Sequence, residues 1–207
     1  MPEDQPDKTG ARPAGLAPGP WRWVADGLAA AMTLLAVGWA LSFQRQLGLE
    51  LYPQQFFAAI LALTLCVAFL TLPARRGAAR PGVPWYDAVL AAASLVNMGY
   101  VAVHYPDLVL MIFSRPPELW VPAALIVLLV LEALRRATGW SLVIIICVFL
   151  AYALWGDVFP GRLQGRVQNW QMLAGYLAVD SNGILGLAMS VASTVVVAFI
   201  LFGVLLA

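Results

Sequence analysis

Glu132, Arg135 and Arg136 are the first residues in this chain whose types and spacing could do chemistry. They stand three and four positions apart near the end of an apolar run, which on a helix puts them on one face. An ion pair there fixes the depth of the helix. A proton relay needs a second titratable group at similar depth, and the sequence offers no obvious one beside Glu132, so the ion-pair reading is preferred. Asp26 follows Arg22 by four residues, a spacing that anchors a helix end through a surface pair. Asn97 is the central polar residue of an otherwise apolar run. Such an amide joins neighbouring helices, with a ligand role as the alternative. His104 is the only histidine, and one histidine makes neither a zinc site nor a catalytic triad. Cys66 and Cys147 lie singly in apolar runs and read as small packing residues rather than a disulfide or metal pair. The motifs GxxxxGK[ST], GxGxxG and GxSxG do not occur, so nothing points to an ATPase, a hydrolase or a bound cofactor.

The elements that must hold these side chains follow from composition. Of 207 residues, 62% are hydrophobic and 11% charged, against about 45–50% and about 25% in a soluble domain. Twelve Lys and Arg oppose eleven Asp and Glu; that balance builds no basic field and argues against nucleic acid as a partner. A membrane helix needs about 20 apolar residues, and six runs qualify or come near: 24–43, 56–72, 88–103, 119–134, 140–155 and 184–207. None alternates apolar and polar residues as a barrel strand does. The expected fold class is therefore all-α, a polytopic membrane protein of about six transmembrane helices embedded in lipid. Residues 1–20, with five prolines and mixed charge, are expected to form a disordered tail rather than a cleaved signal.

Orientation follows the basic residues. Lys8, Arg12, Arg22, Arg75, Arg76, Arg80, Arg135 and Arg136 fall on one side, and Arg45, Arg115, Arg162 and Arg166 on the other. The eight-to-four excess predicts a cytoplasmic N-terminus. The apolar stretch 108–113 is too short to span and is expected at the interface. In the long connection 160–183, Trp170, Leu173, Ala174 and Leu177 recur at helical spacing. This predicts an amphipathic helix either lying on the outer membrane surface or packed on its neighbours. Gly183, Gly186, Ser190 and Ser193 make the start of the last run small and polar. Close helix packing is the preferred reading, with a broken or re-entrant helix as the alternative.

Several stretches together resemble a known family. They are Leu131-Glu132-Ala133-Leu134-Arg135-Arg136-Ala137-Thr138-Gly139-Trp140, Tyr152-Ala153-Leu154-Trp155-Gly156, Phe159-Pro160-Gly161, Gly183-Ile184-Leu185-Gly186 and Phe199-Ile200-Leu201-Phe202-Gly203. Upstream lie Pro84-Trp85-Tyr86-Asp87 and Tyr105-Pro106-Asp107-Leu108-Val109. From Pro84 onward the chain closely resembles the fused permease of tripartite ATP-independent periplasmic (TRAP) transporters of the TAXI type; the first two runs match loosely. The resemblance implies a bacterial inner-membrane component of a secondary transporter. A periplasmic solute-binding protein would deliver an organic anion, and an ion gradient, commonly Na⁺, would drive import. It implies a tail (1–20), a small four-helix scaffold domain (21–139), a connecting helix (140–159) and a periplasmic loop with an amphipathic helix (160–183). The first helix of a large transport domain (184–207) follows, cut short. Substrate and Na⁺ sites would lie beyond Ala207, so none is assigned here. Where family members often carry a proline after the Gly183–Gly186 segment, this chain has Leu187-Ala188-Met189. Two other readings stay open: the small membrane subunit of a different tripartite carboxylate transporter, and a scaffold or assembly protein with no transport role.

Overall fold

The computed structural model describes residues 20–206 apart from 47, 49, 75–82, 113, 115, 159–164, 166 and 167. The expected tail and the basic loop of Arg75, Arg76 and Arg80 lie outside the described residues, as do Arg115, Arg162 and Arg166. Nine α-helices follow one another among the described residues: α1 (Pro20–Ala40), α2 (Phe43–Gln46), α3 (Pro53–Thr71), α4 (Trp85–Leu110), α5 (Pro117–Thr138), α6 (Trp140–Trp155), α7 (Trp170–Val179), α8 (Leu187–Ser190) and α9 (Val197–Leu206). A π-turn, Val191–Val196, joins α8 and α9 into one rod. No strand occurs among the described residues. The fold is all-α and polytopic, with five helices long and apolar enough to cross a membrane. The stretch expected as a further span, Trp140–Trp155, is an apolar helix of 16 residues. At 1.5 Å per residue it reaches about 24 Å, short of a hydrocarbon core of about 30 Å.

Proline sets several helix starts. Pro53 and Pro117 occupy the first turns of α3 and α5, where a missing N–H costs nothing, and Pro84 caps α4. Gly139 ends α5 with φ +93°, a conformation that disfavours any side chain, and α6 begins at the next residue. The core is the antiparallel packing of α3 on α4, flanked by α1 and α5. Phe56, Ile60, Leu65 and Phe69 of α3 meet Met98 and Val101 of α4 and Ile126 and Leu129 of α5 in one buried cluster.

Three expectations are corrected. First, α4 does not stop near 103 but runs to Leu110 with Pro106 inside it. Pro106 has no N–H for the carbonyl of Ala102, four residues earlier. Gln55 Nε2 donates to that carbonyl instead, at 2.7 Å, and Gln55 Oε1 accepts from the Tyr52 N–H at 3.0 Å. One side chain thus caps α3 and repairs α4. Second, the last helix starts at Leu187, because residues 180–186 form a tight turn. There the Ile184 N–H donates to Leu177 O at 2.7 Å. A Cβ on Gly183 would collide with the carbonyls of Leu177 and Tyr176, and one on Gly186 with that of Ser181. These glycines serve the turn, not helix–helix packing. Third, α7 buries Gly175, Ala178 and Val179, one position round from the expected stripe. It packs on α5, with Gly175 facing Leu119 at ordinary contact distance, so it is a helix packed on its neighbours.

Candidate functional site: a four-charge cluster at one end of the bundle

The last two turns of α5 carry Glu132, Arg135 and Arg136, and the structure brings them together. Arg135 Nε and Nη2 donate to the two oxygens of Glu132 at 2.7 Å each. Arg136 Nε donates to Glu132 Oε1 at 2.8 Å. A fourth group completes the cluster: Arg136 Nη1 donates to Asp87 Oδ1 at 2.7 Å. Asp87 sits in the first turn of α4, where the helix dipole favours a carboxylate, as it favours arginine in the last turn of α5. Among the described residues, two arginines against two carboxylates balance in charge.

Burial divides the cluster. The side chains of Asp87 and Arg136 are 0% and 1% exposed, whereas those of Glu132 and Arg135 are 29% and 22% exposed. The inner pair is sealed by the ring of Phe69, 5.0 Å below the Arg136 guanidinium; Arg135 lies 5.4 Å over the ring of Trp140. Arg136 Nη1 and Arg135 Nη1 also donate, at 3.3 Å, to the carbonyls of Leu72 and Ala74, which lie at the C-terminal end of α3, where intrahelical donors run out. The four side chains therefore join α3, α4, α5 and the start of α6.

Chemically, this arrangement holds charge rather than binding an anion, because each guanidinium is already committed to carboxylate and carbonyl oxygens. The expectation that Glu132 lacks a second titratable group at its depth does not hold, since Asp87 is bridged to it through Arg136. Asp87 went unassigned because its partner lies 49 residues away. The one signal in the sequence is a carboxylate at a helix start in a chain where charge is scarce.

The remaining candidates lie elsewhere. Asn97 is buried, and its Nδ2 donates to Pro122 O at 3.1 Å, joining α4 to α5. Asp26 faces outward with Arg22 at 3.9 Å, both largely exposed. Trp170 at the start of α7 meets Trp120 edge to face, centroids 4.7 Å apart. His104 stacks on Tyr100 at 4.6 Å, and its Nδ1 lies 3.1 Å from Tyr100 O. Cys66 is buried in α3, but Cys147 is exposed on α6, so only the first packs as expected. Among the described residues no three His, Cys, Asp or Glu side chains gather as a metal site. Compared with known proteins, the chain matches no family model, no curated protein and no solved structure.

Proposed function

We propose that this chain is the scaffold part of a membrane permease of the TRAP type. It would stand in a bacterial inner membrane with its N-terminus in the cytoplasm and import an organic anion handed over by a periplasmic solute-binding protein, driven by an ion gradient. The observation that carries the reading is the charge cluster. It locks α3, α4 and α5 at one end, while α6 and the α8–α9 rod remain apolar and largely unburied. A transporter that moves one domain against another needs such a division, a body that does not deform beside helices free to contact a large transport domain. The sequence resemblance supplies the substrate class and the coupling.

The test is uptake into proteoliposomes holding the full-length permease and its purified binding protein. Labelled carboxylate should accumulate only when both the binding protein and an imposed Na⁺ gradient are present. Uptake that persists without either one would overturn the reading. If the chain is instead a non-transport scaffold, no binding protein will dock to it in pull-downs from detergent.

A further inference from the structure

At the end of the bundle opposite the charge cluster, the end of α1, α2, the connection after it and the start of α3 line a cavity of about 460 Å³ that is open to its surroundings. Its walls include Trp39, Gln44, Arg45, Glu50, Leu51 and Pro53. The backbone is built to make it. After α1 ends, Ser42 takes φ +54°, a left-handed turn that non-glycine residues rarely adopt. The turn is held by the Leu41 N–H donating to Val37 O at 3.0 Å and the Ser42 N–H donating to Trp39 O at 2.9 Å. This places α2 beside the end of α1. The indole of Trp39 is fixed by stacking on Phe56, with centroids 4.4 Å apart and planes within 6°, so it forms a rigid wall.

The polar groups here differ in kind from those of the cluster. Arg45 and Glu50 are both exposed, and neither pairs with a charged side chain among the described residues. A guanidinium and a carboxylate on one cavity complement a ligand that carries an anion and a cation a few bonds apart. Arginine favours phosphate, which it grips with two parallel N–H donors. A carboxylate favours a primary ammonium with N–H groups to donate. The cavity lies where two membrane-length helices, α1 and α3, terminate, the level of lipid headgroups, and Trp39, Leu51 and Pro53 give it an apolar side. Its volume is in the range of small-ligand sites, about 300–1,000 Å³.

We propose that this cavity binds the headgroup of a zwitterionic aminophospholipid, with Arg45 on the phosphate and Glu50 on the primary ammonium. The same phosphate–ammonium chemistry exists in a free phosphoethanolamine, but the position at the helix ends commits the site to the membrane lipid. The site requires only a bilayer around the bundle, not a transport role.

Native mass spectrometry of the full chain, released from micelles doped with one lipid at a time, tests this. The lipids are phosphatidylethanolamine, phosphatidylcholine and phosphatidylglycerol with identical acyl chains. Phosphatidylethanolamine should be retained about tenfold better than the other two, the effect of one charge-assisted hydrogen bond. Arg45→Ala should lower its retention about tenfold and Arg45→Lys by less, since lysine keeps the charge without the fork. Glu50→Gln should remove the preference over phosphatidylcholine, whose quaternary ammonium has no N–H. Melting curves that match wild type establish that the variants are folded, and Glu50→Asp and Arg45→Lys serve if the others are not. Equal retention of the three lipids, or unchanged preference in both Arg45→Ala and Glu50→Gln, overturns the proposal. So does displacement of the lipid by free phosphoethanolamine at matched concentration, which would assign the site to a soluble ligand.

Discussion

Single side chains in this protein act through partners far away in sequence. Arg136 is buried against Asp87. Removing Asp87 takes the carboxylate from its Nη1 while Glu132 still holds its Nε, so the cost lies below the about 3–5 kcal/mol of a fully stranded buried charge. Asp87→Ala should still lower the unfolding midpoint in detergent. The double change Asp87→Leu with Arg136→Met should recover most of that loss, because it removes one charge of each sign and leaves Glu132 paired with Arg135. A double variant as unstable as the single one would show that the cluster does more than balance charge. Gln55 makes a second test. Gln55→Leu strips the Ala102 carbonyl of its donor and should cost about 1–3 kcal/mol. Adding Pro106→Ala returns a backbone N–H to that carbonyl, so the two changes together should cost less than their sum in a double-mutant cycle. Strict additivity would disconnect Gln55 from the proline. The contrast explains what was legible. Glu132 with Arg135 and Arg136 could be read because the interaction is local, three and four residues apart. Asp87 and Gln55 could not, because their partners come from 49 and 47 residues away, and only packing reveals them.

Helices were more legible than the joints between them. Apolar length found each membrane-length helix, and proline or glycine marked several of their ends. What composition hides is how a breaker is compensated: α4 passes through Pro106 because α3 supplies the missing donor, so a boundary drawn at Val103 falls inside the element. The α7 stripe is off by one residue for a similar reason. Its contact with α5 is chosen by small side chains, Gly175 and Ala178, and a hydrophobicity pattern overlooks them. The α5–α6 joint gives the prediction at this scale. Gly139 holds φ +93° and ψ −168°, a region that only glycine enters without a cost of about 1–3 kcal/mol. Gly139→Ala should lower the melting temperature although it touches no core residue. An unchanged melting temperature would mean that α6 re-aims freely on its neighbour, against a role for Arg135 and Trp140 in fixing it.

Over the whole molecule, the apolar surface is unevenly placed. Of the membrane-length helices α3 is the most buried, while α6 shows Ile144, Val148, Phe149 and Trp155 outward, and α9 shows Phe199, Ile200, Phe202 and Val204. The two cysteines report this directly, one on each side of the divide. A membrane-permeant maleimide should label Cys147 on α6 in the native protein and leave Cys66 in α3 unreacted until unfolding. Labelling of Cys66 at the same rate would mean that the α3 core is not closed. The π-turn in the last rod has a consequence for its outward face. Ser193 Oγ and Thr194 Oγ1 donate to the carbonyls of Met189 and Ser190 at 2.7 and 2.6 Å, which keeps the widened turn satisfied. A π-turn holds one residue more than an α-helix would, so the rod carries a slip in phase of about 100°, the angle of one residue at 3.6 per turn. Deleting Ala192 should be absorbed by a return to α-helical bonding, whereas deleting a residue from the regular α9 would rotate everything after it. The face that α9 turns to its surroundings is thus buffered against the loss of one residue within that turn, whereas the same loss inside α9 would bring a different set of side chains to its neighbours.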